Sequence, residues 1–289
     1  MRAAGLASVS VAAVLIALKV WAWLTTDSVA LLSSLADSLL DLLASMITFF
    51  ALSFAVTPPD REHRFGHGKS EGIAGLVQAL IVSGSAVYVA FAAVQRLLRP
   101  QPLEQIEVGV GVMLVSLALT ISLITFQRRV VARTGSIAVS ADSVHYRADV
   151  LTNVGILAGI LAADLLSWHI ADPLIGLAVA GVILVSVKQI AFDSLNVLLD
   201  RELPGKVRKR IEHIATAHPA VLGVHDIRTR SAGSMQFIQL HLELDPGLTL
   251  LEVHEISDAV EIEMHKAFPL AEVLIHADPY GLKEPRDSF

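Results

Sequence analysis

The chain has 289 residues, of which 54% are hydrophobic and only 17% charged, with a mean hydropathy of +0.61. A soluble domain carries about a quarter charged residues, so this balance indicates a membrane protein. The formal net charge of −6 is mild and the basic residues are scattered, which argues against a nucleic-acid surface, and the lack of cysteine excludes thiolate metal sites and disulfides.

Six stretches are long enough to cross about 30 Å of hydrocarbon at 1.5 Å per residue. They lie near residues 4–24, 29–56, 70–96, 106–127, 137–163 and 172–195. The first follows Met1-Arg2 like a signal peptide, but it reaches Leu24 without a small-residue cleavage site and reads as a retained span. Arg2, Arg61, Arg64, Lys69, Arg128, Arg129 and Arg133 fall on one side of the membrane. The other side holds Arg96 and Arg99 against Glu104 and Glu107, so both termini are expected in the cytoplasm. Trp21, Trp23 and Trp168 sit near span ends, where interfacial aromatics belong, and Lys19 and Lys188 read as snorkelling side chains. Gly72, Ala74, Gly75, Ser83, Gly84, Ser85 and Ala86 make the third span suited to close helix packing.

After Asp200 the composition turns soluble. Pro204 opens a helix to about Ala217, a strand follows near 220–230, and Ala232-Gly233 marks a turn. Ile238, Leu240, Leu242 and Leu244 then alternate with Gln239, His241 and Glu243, the period of a half-buried strand. A turn at Asp245-Pro246-Gly247, a helix near 249–267 and a strand near 271–277 complete the order α-β-β-α-β. The expected organisation is a polytopic α-helical membrane domain over 1–200, a cytoplasmic α+β domain over 201–281, and a disordered tail over 282–289.

Two four-residue steps stand out within the apolar spans: Asp37-Ser38-Leu39-Leu40-Asp41 and His145-Tyr146-Arg147-Ala148-Asp149. An aspartate near the bilayer centre costs roughly 2.5–3.5 kcal/mol on insertion scales, so four ionisable groups there call for a function. Residues four apart share a helix face. Span two enters near residue 29 and span five, from the other side, near 137; both steps then lie about 12–18 Å deep. Asp41 is level with His145 and Asp37 with Asp149, so the antiparallel helices can present all four groups at one height. Three carboxylates and an imidazole match a tetrahedral Zn²⁺ site, and the imidazole disfavours Mg²⁺, Ca²⁺ and Mn²⁺ without separating Zn²⁺ from Fe²⁺, Cd²⁺ or Co²⁺. The competing reading is a polar seam paired with neighbours such as Arg147.

These steps resemble the transport site of the cation diffusion facilitator family. The stretches Ser-Leu-Ala-Asp-Ser-Leu-Leu-Asp (34–41), Phe-Gly-His-Gly-Lys-Ser-Glu (65–71), Ala-Asp-Ser-Val-His-Tyr-Arg-Ala-Asp (141–149) and Leu-Leu-Asp-Arg-Glu-Leu-Pro (198–204) are similar to its bacterial zinc and iron efflux branch. The resemblance implies a homodimer in the bacterial inner membrane, six spans per protomer, a ferredoxin-like, metallochaperone-like cytoplasmic domain, and metal export by proton antiport. It also implies a loop metal site at Asp60, His63 and His67, whose spacing alone is compatible with ligation but equally with a solvated loop. It selects His225, His241, His254, His276 and Asp278 as ligands of a binuclear cytoplasmic site, and Lys69 with Asp200 as a salt-bridged hinge. His213, His218, His265 and His169 match no motif and read as surface residues.

Gly68-Lys69-Ser70 imitates the end of a phosphate-binding loop, but the required first glycine is replaced by His63 and no strand precedes it, so no nucleotide is expected. The energy source is then an ion gradient. The resulting expectation is alternating access around the four-ligand site, with His145 and the aspartates exchanging metal for protons. A passive cation channel, a membrane-bound metal sensor and an intramembrane metalloenzyme are the rivals; the last would need a motif such as His-Glu-x-x-His, which is absent.

Overall fold

The computed structural model describes residues 1–26, 29–98, 107–166 and 170–281. The chain divides into two units, Met1–Leu195 and Asn196–Phe289. Trp168, His169 and the predicted tail at 282–289 lie outside the described residues.

The first unit is built from long helices: α1 (Arg2–Thr26), α2 (Val29–Ala55), α3 (Ser70–Leu98), α4 (Glu107–Thr134), α5 (Ile137–Leu166) and α6 (Ala171–Leu198), the last ending just beyond it. Among the described residues, five of them carry a stretch long and apolar enough to cross a membrane. Helix α5 has the length, about 45 Å at 1.5 Å per residue, and carries Asp142, His145, Arg147 and Asp149 in its first half. Helix α5 packs against α2, α3 and α4, and α1 packs against α2 and α4.

Small side chains set how closely these helices approach. The buried positions are rich in alanine, including Ala4, Ala12, Ala22, Ala44, Ala74, Ala79, Ala86, Ala138, Ala141 and Ala148. Without a hydrophobic force between helices in lipid, close backbone approach is what makes their association favourable. A Cβ on Gly75 would lie 2.1 Å from Ser194 Oγ and 3.2 Å from Ile137 Cγ2, so a larger residue there would displace the Ser194 side chain. Gly84, in the same run of small residues, faces open space. At its start α5 is capped by Ser136, whose Oγ accepts from the Val139 N–H at 3.3 Å and whose hydroxyl donates to the buried carboxylate of Glu71 in the first turn of α3.

The second unit follows the order α7 (Gly205–Thr216), β1 (Gly223–Ala232), β2 (Met235–Leu244), α8 (Leu250–Ala267), β3 (Ala271–Pro279). Strand β2 is central, antiparallel to β1 and parallel to β3, the parallel pair being joined through α8. Ile238, Leu240, Leu242 and Leu244 face the core with Ile211, Val260 and Met264, leaving Gln239, His241 and Glu243 on the opposite face. Phe237 also lies on that opposite face yet is buried, because the Arg230 guanidinium covers its ring at 4.2 Å. The β1–β2 hairpin turns through Gly233 at φ +61°, a conformation glycine adopts without steric cost.

Strand β1 carries one extra residue between His225 and Arg228, which pair with His241 and Gln239. This bulge, with Asp226 at φ +46°, keeps His225 and Arg228 on the same face although they are three residues apart. Helix α8 starts with a capping box. Thr249 Oγ1 accepts from the Glu252 N–H at 3.3 Å, and Glu252 Oε2 accepts from the Thr249 N–H at 2.7 Å. These hydrogen bonds from Thr249, backbone first, hold the Glu252 carboxyl below its usual range, so its contribution is present at neutral pH and lost as pH falls through its lowered value. Thr249→Ala is expected to cost about 1 kcal/mol of local stability at the start of α8, seen as faster amide hydrogen exchange over residues 250–253 with the rest of the sheet unchanged.

Candidate functional site

Among the described residues, three groups of ligand-type side chains converge, each with donor atoms within 4.8 Å of one another: Asp41, His145 and Asp149; Asp60, His63 and His67; His225, His241 and Asp278.

The first group joins α2 to α5. His145 Nε2 lies 2.9 Å from Asp41 Oδ1 and 3.8 Å from Asp149 Oδ2. The imidazole is buried, at 4% exposure, and the two carboxylates are half-buried. One i,i+4 step on α5 and one residue of α2 thus point three donors at one spot, an arrangement suited to a small divalent cation. Asp37 stands one turn from Asp41 on α2 and is exposed; it is not among the three residues brought together.

Behind this group is a polar cluster that sequence reasoning did not single out. Asp142, one turn before His145, is buried and accepts from Ser8 Oγ and Gln127 Nε2, both at 2.6 Å, and from Gln78 Nε2 at 3.3 Å. Gln78 also donates to Thr48 Oγ1 at 2.9 Å, and the Tyr146 hydroxyl meets Ser45 Oγ at 2.8 Å. Helices α1 to α5 therefore all contribute to the surroundings of one carboxylate. The signal in the sequence is three polar residues within or at the edge of apolar spans: Gln78 in the third, Gln127 at the end of the fourth and Asp142 near the start of the fifth. Lys19, read as a snorkelling side chain, instead turns into the bundle: its Nζ donates to Ser38 Oγ at 2.6 Å and to the Ser34 carbonyl at 3.0 Å.

The second group is local. Asp60 Oδ1 accepts from the Glu62 and His63 N–H groups at 2.9 and 2.7 Å, and its other oxygen lies 3.3 Å from His67 Nε2. The His63 backbone contact, then that of Glu62, and beyond them the nearby imidazoles keep Asp60 ionised at lower pH than usual. His67 is buried against Phe54, and its Nδ1 lies 3.3 Å from the Thr57 carbonyl. That contact orients the ring so that Nε2 faces Asp60, the outer support that metal-ligating histidines ordinarily have.

The third group lies on the face of the sheet opposite the core. Asp278 Oδ2 is 2.7 Å from His241 Nδ1 and 3.3 Å from His225 Nε2, while its Oδ1 is 3.0 Å from His276 Nε2. The His276 and His241 ring centroids lie 4.6 Å apart, with the rings tilted by 46°. One aspartate thus touches three histidines with its two oxygens. Two carboxylates outside the predicted set back the other ring nitrogens: Glu243 Oε1 lies 3.0 Å from His225 Nδ1, and Asp226 Oδ2 lies 3.7 Å from His241 Nε2. Asp226 titrates below its usual range because of its Arg228 hydrogen bond. His254 is elsewhere, exposed on α8 and 3.5 Å from Asp258. Lys69 belongs to the first unit and Asp200 to the second, where Asp200 Oδ1 accepts from Arg230 Nη1 at 3.3 Å.

Family models match both units. The cation efflux transmembrane domain covers residues 5–199, and the cation efflux protein cytoplasmic domain covers residues 203–280. The chain belongs to the cation diffusion facilitator family. This cation diffusion facilitator is 43% identical over 279 residues to the cation-efflux pump FieF of Yersinia enterocolitica, covering 96% of this chain and 93% of that one. It is 42% identical over 276 residues to FieF of Klebsiella pneumoniae, covering 96% and 92%. A solved metal-bound C-terminal domain of the CzcD transporter from Thermotoga maritima is 29% identical over 27% of this chain and 93% of that one, with a TM-score of 0.27. Family membership makes the chain a membrane transporter rather than an enzyme.

Asp142→Ala is expected to leave the Gln127 and Ser8 donors unmatched and to cost about 2–3 kcal/mol, read as a lower midpoint of helix loss for the detergent-purified protein, with Asp142→Asn falling between.

Proposed function

We propose that this chain exports a divalent metal cation, zinc foremost, from the cytoplasm across a bacterial inner membrane in exchange for protons. The observation that carries this reading is the convergence of Asp41, His145 and Asp149 on one spot between two membrane helices. Carboxylate and imidazole together suit Zn²⁺, Fe²⁺ or Cd²⁺ better than cations that demand oxygen alone.

Asp37 is the fourth ligand in this reading. It is one helical turn from Asp41 on the same face, and a modest rotation of α2 brings it in when the cation binds. An Asp3His site presented first to one side and then to the other constitutes alternating access. Metal binds deprotonated ligands, so uptake of protons from outside favours release, and this links export to the pH gradient.

The remaining features take supporting roles. Residues 1–200 form the transport domain with both termini in the cytoplasm, and residues 201–281 form a metal-binding and dimerisation domain. Asp60, His63 and His67 form a loop site. His225, His241, His276 and Asp278 hold cations in the cytoplasmic domain, where the two-sided contacts of Asp278 support a pair of metals; His254 is the further ligand the family resemblance adds. Metal there stabilises the homodimer and biases the cycle, so that export follows cytosolic load. Lys69 and Asp200 serve as the hinge between domains.

In proteoliposomes, Asp41→Ala and Asp149→Ala are each expected to abolish zinc flux while the protein stays dimeric, and wild-type flux is expected to rise with an imposed pH gradient. Flux that ignores the gradient and exceeds carrier rates would instead identify a channel.

A further inference from the structure

Lys19 is a cation well inside a membrane helix that the transport reaction, as described so far, does not use. It lies seven residues before the end of α1 at Thr26, about 10 Å along the axis at 1.5 Å per residue. A lysine at that depth ordinarily runs its stem to the interface. Here the ammonium is turned inward and anchored on α2, 2.6 Å from Ser38 Oγ and 3.0 Å from the Ser34 carbonyl. Ser38 is 1% exposed and lies between Asp37 and Asp41 in sequence. The ammonium is thus held on the turn of α2 that carries Asp37 and Asp41, the acidic residues this helix gives the transport site.

We infer that Lys19 is the fixed counter-charge of the transport site and sets its affinity for the cation. The inference rests on the transport-site reading above. Three carboxylates around a neutral imidazole carry three negative charges, one more than a divalent cation neutralises. The tethered ammonium removes that excess, so the loaded site is neutral in surroundings of low dielectric where an unbalanced charge is costly. Asp142 lies outside the ligand set; Ser8, Gln127 and Gln78 donate to its carboxyl, which stabilises a charge there without cancelling it. Lys19 cannot itself ligate the metal while protonated. Its effect is repulsion: it weakens binding enough for the cation to leave, which a carrier needs as much as it needs binding.

The test is zinc flux in proteoliposomes containing the full-length chain, measured across zinc concentrations. Lys19→Gln keeps a hydrogen-bond donor and loses the charge; Lys19→Met loses both and is the easier side chain to place in lipid. Both are expected to lower half-saturating zinc about tenfold and to slow turnover at saturation, since removal of a nearby positive charge at low dielectric tightens the bound state. Lys19→Arg restores the charge and is expected to bring half-saturation back toward the wild-type value. A purely structural role would reduce turnover without tightening zinc. The inference is overturned if the two neutral variants keep wild-type half-saturation, or if Lys19→Arg shifts it as far as they do. Asp41→Ala, run alongside, separates the two ideas. Wild-type flux in that variant would refute the transport site itself, whereas its loss together with unchanged zinc affinity in the Lys19 variants refutes only the counter-charge.

Discussion

A carboxylate on α2 meets an imidazole on α5 at 2.9 Å, and much of the membrane unit is organised to allow that contact. Helix α5 carries the ligands His145 and Asp149 and, between and before them, Arg147 and Asp142. That first half of the helix cannot face lipid alone. Its polar groups must find partners within the bundle, because an unmatched one in hydrocarbon costs several kcal/mol. Asp41 supplies one partner, and Ser8, Gln78 and Gln127 supply those of Asp142. The alanine- and glycine-rich contacts then follow as a requirement. Short polar side chains such as Ser8 and Ser45 reach across only if the backbones come close.

In the second unit the corresponding constraint is the register of β1. The extra residue at Asp226 keeps His225 opposite His241 while returning Ile227 to the core and Arg228 to the open face. Asp278 at the end of β3 closes the group from the other edge of β2. All three strands therefore contribute to one cluster, and the βαβ connection through α8 holds the last of them parallel to the second. Glu243 and Asp226 lie close to the outer nitrogens of two of the imidazoles, at 3.0 and 3.7 Å.

Much of this could be read from the chain itself. Apolar runs located the long helices to within a few residues, except that α4 continues to Thr134, where its polar end carries Arg128, Arg129 and Arg133. Period-two alternation located β2. Counting depth from span ends put Asp41 level with His145, which are in contact, and Asp37 level with Asp149, which are not grouped. Depth gives height along the membrane but not the distance across to a neighbouring helix, and Asp37, though on the same side of α2 as Asp41, is left out of the group. Lys19 shows the same limit. Its distance from the span end invited snorkelling, whereas its direction depends on the neighbouring serines of α2. The supports around Asp142 and the bulge at Asp226 depend on tertiary contacts between residues far apart in sequence, for which a single sequence carries no periodic signal.

Transport of the kind proposed requires a cation held between α2 and α5. Anomalous scattering from a structure of the zinc-loaded, full-length protein tests it most directly. The expected result is a zinc peak about 2.0–2.2 Å from Asp41, His145 and Asp149, with Asp37 drawn in as the fourth ligand. Zinc in the loop and cytoplasmic groups with no peak between α2 and α5, at concentrations that support flux, would contradict it.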